Sequence, residues 1–354
     1  MSLPHPLARI VASKDFRLVV LIAILIVVFG SLIGDRLFGQ LGLRSMAYQL
    51  PELGLLSLAM MVAMLSGGID LSIIATANLS ALTIAGSLSL MPAGDGGSAA
   101  ALWEIGSVLA GLAVALAVGV GNGLVIGYFR VSPILATLGS MTLVKGLAIG
   151  LTHGSVLSGF PPAIVFLGNG SVLGLPMPLI VFAAVAAPLS ALLTMTPFGV
   201  RIAMFGSNER AVRFSGVDTR ALTLRTYVLS SFVAFFAGLV MMARFDSANA
   251  AYGESYLLVT ILACVLGGVD PAGGFGRVSG LVLALVVLQI ISTACVVLGL
   301  SQFLTLAIWG GILIAVGALD AASAGGVFAL LRSLVTDVVA PASASPPTGA
   351  SKPQ

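Results

Sequence analysis

Few side chains in this sequence could perform chemistry, and the most unusual of them lie in apolar surroundings. Asp70 follows the pair Gly67-Gly68, and Lys145 stands near the middle of the apolar stretch 133–152. Ionisable groups in such surroundings are costly and mark either a function or an ion pair. Asp70 either caps the next helix through backbone amides, which we favour, or lines a pathway. Lys145 either faces a polar solute or pairs with a carboxylate.

The sequence contains none of the common catalytic motifs. A Gly-x-x-x-x-Gly-Lys-Ser/Thr phosphate loop, a His-Glu-x-x-His pair and a Gly-x-Ser-x-Gly elbow are all missing, and His5 is far from His153. Cys264 and Cys295 lie in apolar segments without metal-ligand spacing, so we expect them to pack. We therefore expect neither an enzyme nor a metal or cofactor site in this chain.

The composition places these residues in a membrane. The 354 residues are 58% hydrophobic and 8% charged, whereas a soluble domain is about a quarter charged. Runs such as 18–34 and 278–314 contain no charged residue at all. The net charge of +3 comes without an arginine or lysine stripe interleaved with aromatic residues, so nucleic acid is not the expected partner. We predict an all-α polytopic membrane protein embedded in a lipid bilayer.

Hydropathy predicts about ten transmembrane helices of roughly 20 residues each. We place them at 18–38, 50–66, 71–91, 105–129, 133–152, 177–196, 223–244, 255–269, 277–298 and 301–319. Pro51, Gly67-Gly68 and Gly267-Gly268 are expected to interrupt helices at or near their ends. With a cytoplasmic N-terminus, twelve Lys or Arg residues face the cytoplasm and only Arg36, Arg44 and Arg244 face outward. This bias predicts that both termini are cytoplasmic.

The predicted organisation is one membrane domain between two terminal segments. Residues 1–17 form a cytoplasmic segment before an uncleaved first span, 18–320 form the membrane domain with a cytoplasmic loop at 197–222, and 321–354 form a partly disordered cytoplasmic tail. Glycines within the spans, such as Gly119 and Gly123, are expected to let helices pack closely.

The loop at 197–222 is the longest polar segment between spans and is rich in arginine. Asn208 is placed to cap a short helix that contains Ala211 and Phe214, and Ser215-Gly216 supplies a stop. Such a helix is either a solvated loop element or a docking element for a cytoplasmic partner. Composition alone does not decide between the two.

Four glycine-containing blocks make the comparison with a known family specific. They are Ser66-Gly67-Gly68-Ile69-Asp70-Leu71-Ser72; Thr137 to Thr142 leading into Lys145-Gly146; Gly206-x-Asn208-x-x-Ala211-x-x-x-Ser215-Gly216; and Leu266-Gly267-Gly268 through Gly273-Gly274-Phe275-Gly276. In this order they resemble the ATP-binding-cassette (ABC) permeases of the ribose, galactose, xylose and autoinducer-2 group. The resemblance covers roughly residues 50 to 320. Ala211-Val212, where the family often has two alanines, and Ser207 depart from its pattern.

The resemblance implies a bacterial inner-membrane permease subunit of an importer for a sugar or similar small polar solute. Its implied partners are a cytoplasmic ATPase subunit that binds ATP and Mg²⁺, an extracytoplasmic substrate-binding protein and a second permease copy or homologue. The implied ATPase-coupling residues are Gly206, Asn208, Glu209, Ala211, Phe214, Ser215 and Gly216. Candidates for the translocation path or its helix breaks are Gly67, Gly68, Asp70, Ser72, Asn78, Thr137, Ser140, Lys145, Gly267 and Gly268.

The alternative function is an ion-coupled secondary transporter that uses Asp70 and Lys145. Such carriers usually hold several intramembrane carboxylates, and Asp70 is expected to be the only one near the interior of a span. A pathway with few charges favours a neutral polyol, because hydroxyls can be met by side-chain amides, hydroxyls and backbone carbonyls.

Overall fold

The computed structural model describes residues 14–91 and 97–323, which form thirteen helices and four two-residue strands. The helices are α1 Lys14–Phe38, α2 Gln40–Leu65, α3 Ile73–Ser89, α4 Ser98–Gly127, α5 Pro133–Thr152, α6 Pro162–Asn169, α7 Met177–Met195, α8 Pro197–Ser207, α9 Glu209–Phe214, α10 Thr219–Phe245, α11 Tyr256–Leu266, α12 Val278–Val297 and α13 Gln302–Ser323. The strands are β1 Leu157–Ser158, β2 Ser171–Val172, β3 Leu175–Pro176 and β4 Ser247–Ala248. Strand β1 pairs antiparallel with β4, and β2 pairs antiparallel with β3.

Seven of the helices in the described part of the chain are long and apolar enough to cross a membrane: α1, α2, α4, α5, α7, α10 and α12. Helices α3 and α11 and residues 303–315 of α13 are apolar but shorter. The all-α membrane architecture is therefore confirmed. The described residues 310–323 belong to a second unit of the chain. Residues 1–13 of the predicted segment 1–17 and residues 324–354 of the predicted tail 321–354 lie outside the described residues.

The predicted boundaries differ most from the structure at the starts of α2 and α4, and α11 is shorter than its predicted span. Helix α2 begins at Gln40 rather than at residue 50, so Pro51 lies inside the helix instead of at its end. A proline in the first half of a long buried helix is tolerated because neighbouring helices can accommodate the freed backbone groups. The eighth predicted span, 255–269, is reduced to the 11 residues of α11, which Gly267 and Gly268 terminate.

The core forms around α10, which packs against α2, α3 and α4. Helices α2 and α10 are largely buried, whereas α1, α5 and α7 expose most of their apolar side chains. Close approach depends on glycine: a Cβ on Gly238 of α10 would overlap the Ala77 carbonyl of α3, and one on Gly119 of α4 would overlap Ser231 of α10. The predicted packing role of Gly119 is thus confirmed.

Candidate functional site

The polar loop folds as two short helices, α8 and α9, joined at Asn208. The Asn208 Oδ1 atom accepts a hydrogen bond from the Ala211 backbone N–H at 3.0 Å. Helix α9 ends at Ser215, and Gly216 follows with a left-handed φ of 82°. These contacts confirm the predicted cap, the short helix and its stop.

One face of α9 is exposed. Phe214 is 92% exposed, whereas Val212 on the opposite face is buried. Ala211 and Arg210 are also exposed. We call the exposed Arg210, Ala211 and Phe214 the α9 surface. An aromatic side chain of this exposure beside a cation is typical of a surface that another protein covers.

Glu209 has a local role in the same helix. Its carboxylate pairs with Arg213 one turn later, with 2.8 Å between Oε1 and the guanidinium Nη2. Both side chains are more than half exposed, so the pair supports the helix weakly.

The C-terminal end of α8 is fixed by a contact among glycines from three segments. Gly206 of α8 lies against Gly273 and Gly274 of the α11–α12 connection and against the Leu65 carbonyl at the end of α2. Gly67 contacts Gly206 and Ala272. The Gly274 N–H donates to the Leu65 carbonyl at 3.0 Å. We call Gly67, Gly206, Gly273 and Gly274 the glycine junction.

The glycine junction leaves no room for side chains. A Cβ on Gly206 would overlap the Leu65 carbonyl oxygen, and a Cβ on Gly273 would lie 2.6 Å from the Gly67 nitrogen. Gly67 and Gly273 also have left-handed φ angles of 78° and 95°, which side-chain-bearing residues rarely adopt. The three blocks of sequence therefore meet backbone to backbone at this point.

Two of the other three glycines at the predicted breaks, Gly68 and Gly267, are also packing contacts. A Cβ on Gly68 would overlap the Tyr227 hydroxyl, and a Cβ on Gly267 would overlap the backbone of Leu281 in α12. Gly268 has a left-handed φ of 84° and turns the chain away from α11. These glycines permit the breaks at which α2 and α11 end.

Asp70 is fully buried in the connection between α2 and α3. Its Oδ1 accepts from the Ser72 N–H at 3.0 Å and the Ser72 hydroxyl at 2.6 Å, while Oδ2 accepts from the Ser230 hydroxyl of α10 at 2.9 Å. Asn122 of α4 donates to the Ser72 hydroxyl at 2.8 Å. The structural interpretation of Asp70 is thus supported, although the carboxylate ties the break to α10 instead of acting as the N-cap of α3.

Thr137 and Ser140 belong to the same structural region. Thr137 is fully buried and donates from its hydroxyl to the Ile69 carbonyl at 3.0 Å and the Pro133 carbonyl at 2.8 Å. The Ser140 hydroxyl donates to the Thr137 carbonyl at 3.1 Å. Thr137 therefore ties α5 to the break beside Asp70, whereas the Ser140 bond stays within α5.

Lys145 and Asn78 lie elsewhere, around the connection between β4 and α11. Lys145 Nζ is 2.7 Å from Glu254 Oε1, so the pairing alternative is correct. Asn78 Nδ2 donates to the carbonyls of Ala250 at 3.0 Å and Tyr252 at 2.8 Å. The candidate path residues thus divide between two places, one around Asp70 and one around Lys145.

The sequence analysis missed one buried ion pair. Glu52 Oε1 of α2 lies 2.7 Å from Arg244 Nη1 of α10, and the Glu52 side chain is 1% exposed. The expectation that Asp70 is the only carboxylate inside a span is therefore wrong. The signal in the sequence was Glu52 itself, an isolated acidic residue in an apolar helix. It was overlooked because the helix was predicted to begin at residue 50, which placed Glu52 at the helix end instead of twelve residues inside it.

Comparison with known proteins identifies the group to which this fold belongs. Residues 42–317 match the family model described as "Branched-chain amino acid transport system / permease component". The ribose import permease protein RbsC of Bacillus subtilis (strain 168) is 30% identical over 298 residues, which cover 84% of this chain and 89% of that protein. The D-allose transport system permease protein AlsC of Escherichia coli (strain K12) is 29% identical over 300 residues, covering 85% and 89%.

A third relative has a different named solute. The autoinducer 2 import system permease protein LsrD of Enterobacter sp. (strain 638) is 29% identical over 270 residues, covering 75% of this chain and 80% of that protein. No solved structure matches the chain. The family model and the relatives together span the glycine junction and the α9 surface, and the chain therefore belongs to this family of permease components as the multi-pass membrane subunit of an ABC importer.

Proposed function

We propose that this permease subunit imports a monosaccharide or a similar neutral polyol, and that the α9 surface is where a separate cytoplasmic ATPase docks. The relatives named for ribose and D-allose support a sugar. The exposed Phe214 beside exposed arginines supports a protein partner, because such side chains form the centre of many interfaces. ATP and Mg²⁺ then bind the partner and not this chain.

The glycine junction is the observation that carries this proposal. It connects α8, which is continuous with the α9 surface through Asn208, to the ends of α2 and the α11–α12 connection without intervening side chains. A force applied at α9 is therefore transmitted to the backbone next to Asp70 by a rigid contact. Packed elements of this kind move between discrete arrangements instead of deforming gradually.

The proposed function also implies a membrane topology and two further protein components. We propose ten membrane crossings, made by the seven long helices together with the three shorter apolar ones, with both termini in the cytoplasm. A substrate-binding protein then delivers the solute at the opposite face, and a second copy or homologue of the chain completes the path. The ion-coupled alternative gains no support, since Asp70 is hydrogen-bonded to two serines and Lys145 to Glu254.

The test is uptake by the reconstituted importer. The chain, its ATPase and its binding protein are placed in proteoliposomes, and uptake of D-ribose, D-allose and L-arabinose is measured with and without ATP inside. We expect uptake of at least one sugar to require ATP and to resist an ionophore that collapses ion gradients. Uptake that proceeds without ATP, or that the ionophore abolishes, contradicts the proposal.

Replacing Gly216 with Glu tests the docking surface. A side chain at Gly216 meets no neighbouring atom within 4 Å, but its left-handed backbone would be strained and a charge would be placed beside Phe214. We expect normal insertion, with sugar-stimulated ATP hydrolysis reduced at least tenfold.

Gly154→Glu is the matched control. Gly154 also has a left-handed φ, of 73°, and open space around it, but it lies in the α5–β1 connection. The same substitution there imposes similar backbone strain without touching the α9 surface. If Gly154→Glu reduces stimulation as much as Gly216→Glu, the docking assignment is wrong.

A further inference from the structure

Helix α11 by itself covers only part of the eighth proposed membrane crossing. Its 11 residues span about 16 Å at 1.5 Å per residue, roughly half of a 30 Å hydrocarbon core. The chain before it, between β4 and α11, is non-helical over residues 249–255. Non-helical backbone at membrane depth occurs only where it is buried in protein or lines an aqueous cavity.

This non-helical segment is anchored deep in the protein. Asn78, the sixth residue of α3, donates to the carbonyls of Ala250 and Tyr252, and Ala250 is 5% exposed. The segment is therefore held between the helices at Ala250, while Ala251, Glu254 and Ser255 stay exposed. Half-helices that begin at such a depth form the solute sites of many transporters.

A cavity of about 170 Å³ opens where α11 begins. It lies between α3, α5 and the segment before α11, with Asn78, Lys145 and Glu254 as its polar lining and Ile74, Met141 and Leu257 among its apolar lining. A water needs only about 10–15 Å³ of such a volume, so the space is large enough for several waters or one sugar ring.

The Lys145–Glu254 ion pair is unusual for its position. Lys145 lies 12 residues from the start of the apolar helix α5 and 7 from its end. Its side chain is nevertheless 39% exposed, and that of Glu254 is 46% exposed. A charged pair at this depth does not face hydrocarbon, because ionisable groups within membrane helices face the protein interior or water. The cavity beside it is therefore aqueous.

Building on the proposed function, we propose that this cavity is a binding station for the transported neutral polyol. Lys145 donates hydrogen bonds to solute hydroxyls, Glu254 accepts them, and the Asn78 side-chain oxygen is a further acceptor, since only the Asn78 nitrogen is bonded among the described residues. The two charges cancel, so the station favours a solute without net charge. Ile74 and Leu257 provide apolar contact for the C–H faces of the ring.

A cysteine scan tests the station without disturbing the ion pair. Leu257→Cys introduces a thiol in the cavity lining. Its neighbour Leu258, 60% exposed and outside that lining, provides the matched control Leu258→Cys. The native Cys264 and Cys295 are buried and give little background. In the purified assembled importer, the rate of modification by a hydrophilic, membrane-impermeant thiol reagent is measured with and without D-ribose, D-allose or L-arabinose.

We expect the thiol introduced by Leu257→Cys to react, and at least one sugar to slow its reaction at least threefold while Leu258→Cys is unaffected. An introduced thiol that is inert, or equally reactive with every sugar, overturns the station. If that occurs while wild-type uptake remains ATP-dependent, the site is wrong and the proposed function stands. If uptake does not require ATP, the proposed function fails regardless of the labelling.

The neutral double variant Lys145→Met/Glu254→Gln gives a second measurement. It removes both charges together and so leaves no unpaired ion. We expect at least a tenfold loss of sugar uptake with normal membrane insertion. Unchanged uptake would show that the pair only holds α5 to the α11 segment and would overturn the station.

Discussion

Buried charge is the most sensitive feature at the scale of single residues. Glu52 and Arg244 form a 2.7 Å pair in which the carboxylate is 1% exposed. Removing Arg244 alone, as in Arg244→Leu, leaves Glu52 buried without a countercharge, which typically costs about 3–5 kcal/mol. We expect a large fall in the thermal unfolding temperature of the detergent-purified protein.

Two control variants separate this effect from the loss of any ion pair. The double variant Glu52→Leu/Arg244→Leu should recover most of the stability, because neither charge is then left alone. Arg213→Leu breaks the exposed pair with Glu209, and exposed pairs contribute about 1 kcal/mol or less. If Arg244→Leu lowers the unfolding temperature no more than Arg213→Leu does, the Glu52 environment is more hydrated than the structure indicates.

Asp70 stabilises a break instead of carrying an ion. Asp70→Leu removes the acceptor for the Ser72 N–H and hydroxyl and for Ser230, and each buried group left unpaired costs about 1–3 kcal/mol. Ser230 retains a second acceptor in the Ala59 carbonyl, so the loss falls mainly on Ser72. We expect Asp70→Leu to lower the unfolding temperature and Asp70→Asn, which keeps one acceptor oxygen, to lower it less.

The exposed Asp270 provides the comparison for Asp70. It accepts from the Ala272 N–H at 2.8 Å in the α11–α12 connection, where water can replace the lost acceptor. Asp270→Leu should therefore have a small effect on unfolding. If Asp70→Leu and Asp270→Leu lowered the unfolding temperature equally, Asp70 would not act as a buried hydrogen-bond acceptor.

Residue-scale predictions succeeded where the signal was local. Asp70 beside two glycines and Lys145 within an apolar run were both visible in the sequence. Their partners were not, because Ser230 and Glu254 are more than a hundred residues away and no periodicity relates them. Glu52 was missed because its helix extends ten residues further toward the N-terminus than hydropathy indicated.

At the scale of elements, the glycine junction is the contact that a single methyl group should break. A Cβ on Gly206 would overlap the Leu65 carbonyl and the Gly274 nitrogen, and both are backbone atoms that cannot rotate away. Gly206→Ala should therefore separate α8 from the end of α2. We expect the protein to insert and bind its ATPase, while sugar uptake per ATP hydrolysed falls at least tenfold.

Gly121→Ala on α4 is the control, since no atom lies within 4 Å of the added Cβ and alanine favours a helix. Its uptake per ATP should match that of the wild type. If Gly206→Ala kept the wild-type sugar uptake per ATP hydrolysed, the glycine junction would not be needed to transmit force.

The boundaries of helices, like the roles of single residues, were predictable where their cause is close in sequence and not where it is distant. The start of α9 was predictable because Asn208 caps it from within four residues. The end of α11 was also predictable from Gly267-Gly268. The non-helical segment before α11 was not, because Asn78 holds that segment from α3. The four glycine blocks were visible separately in the sequence, but only the fold brings three of them together.

At the scale of the whole molecule, the distribution of exposed apolar surface is that of a protein in lipid. Helices α1 and α5 expose leucine, isoleucine or valine along their length, and α7 leaves most of its side chains unburied, whereas α2 and α10 are largely buried. A soluble monomer rarely exposes patches of this extent. Lipid, and for some faces a second subunit, must cover them.

The orientation of this assembly is the remaining prediction, and two exposed side chains can test it. Phe214 on the α9 surface is 92% exposed and Leu173 in the β2–β3 turn is 100% exposed, and the proposed topology places them on opposite sides of the membrane. Phe214→Cys and Leu173→Cys are treated in intact cells with an impermeant thiol reagent, and both are treated again after the membrane is permeabilised. We expect Leu173→Cys to react in intact cells and Phe214→Cys to react only after permeabilisation, because the basic loop stays with the cytoplasmic charge excess. Labelling of Phe214→Cys in intact cells would place α9 on the far side from any ATPase, and the coupling role would fail even though the helical bundle is unchanged.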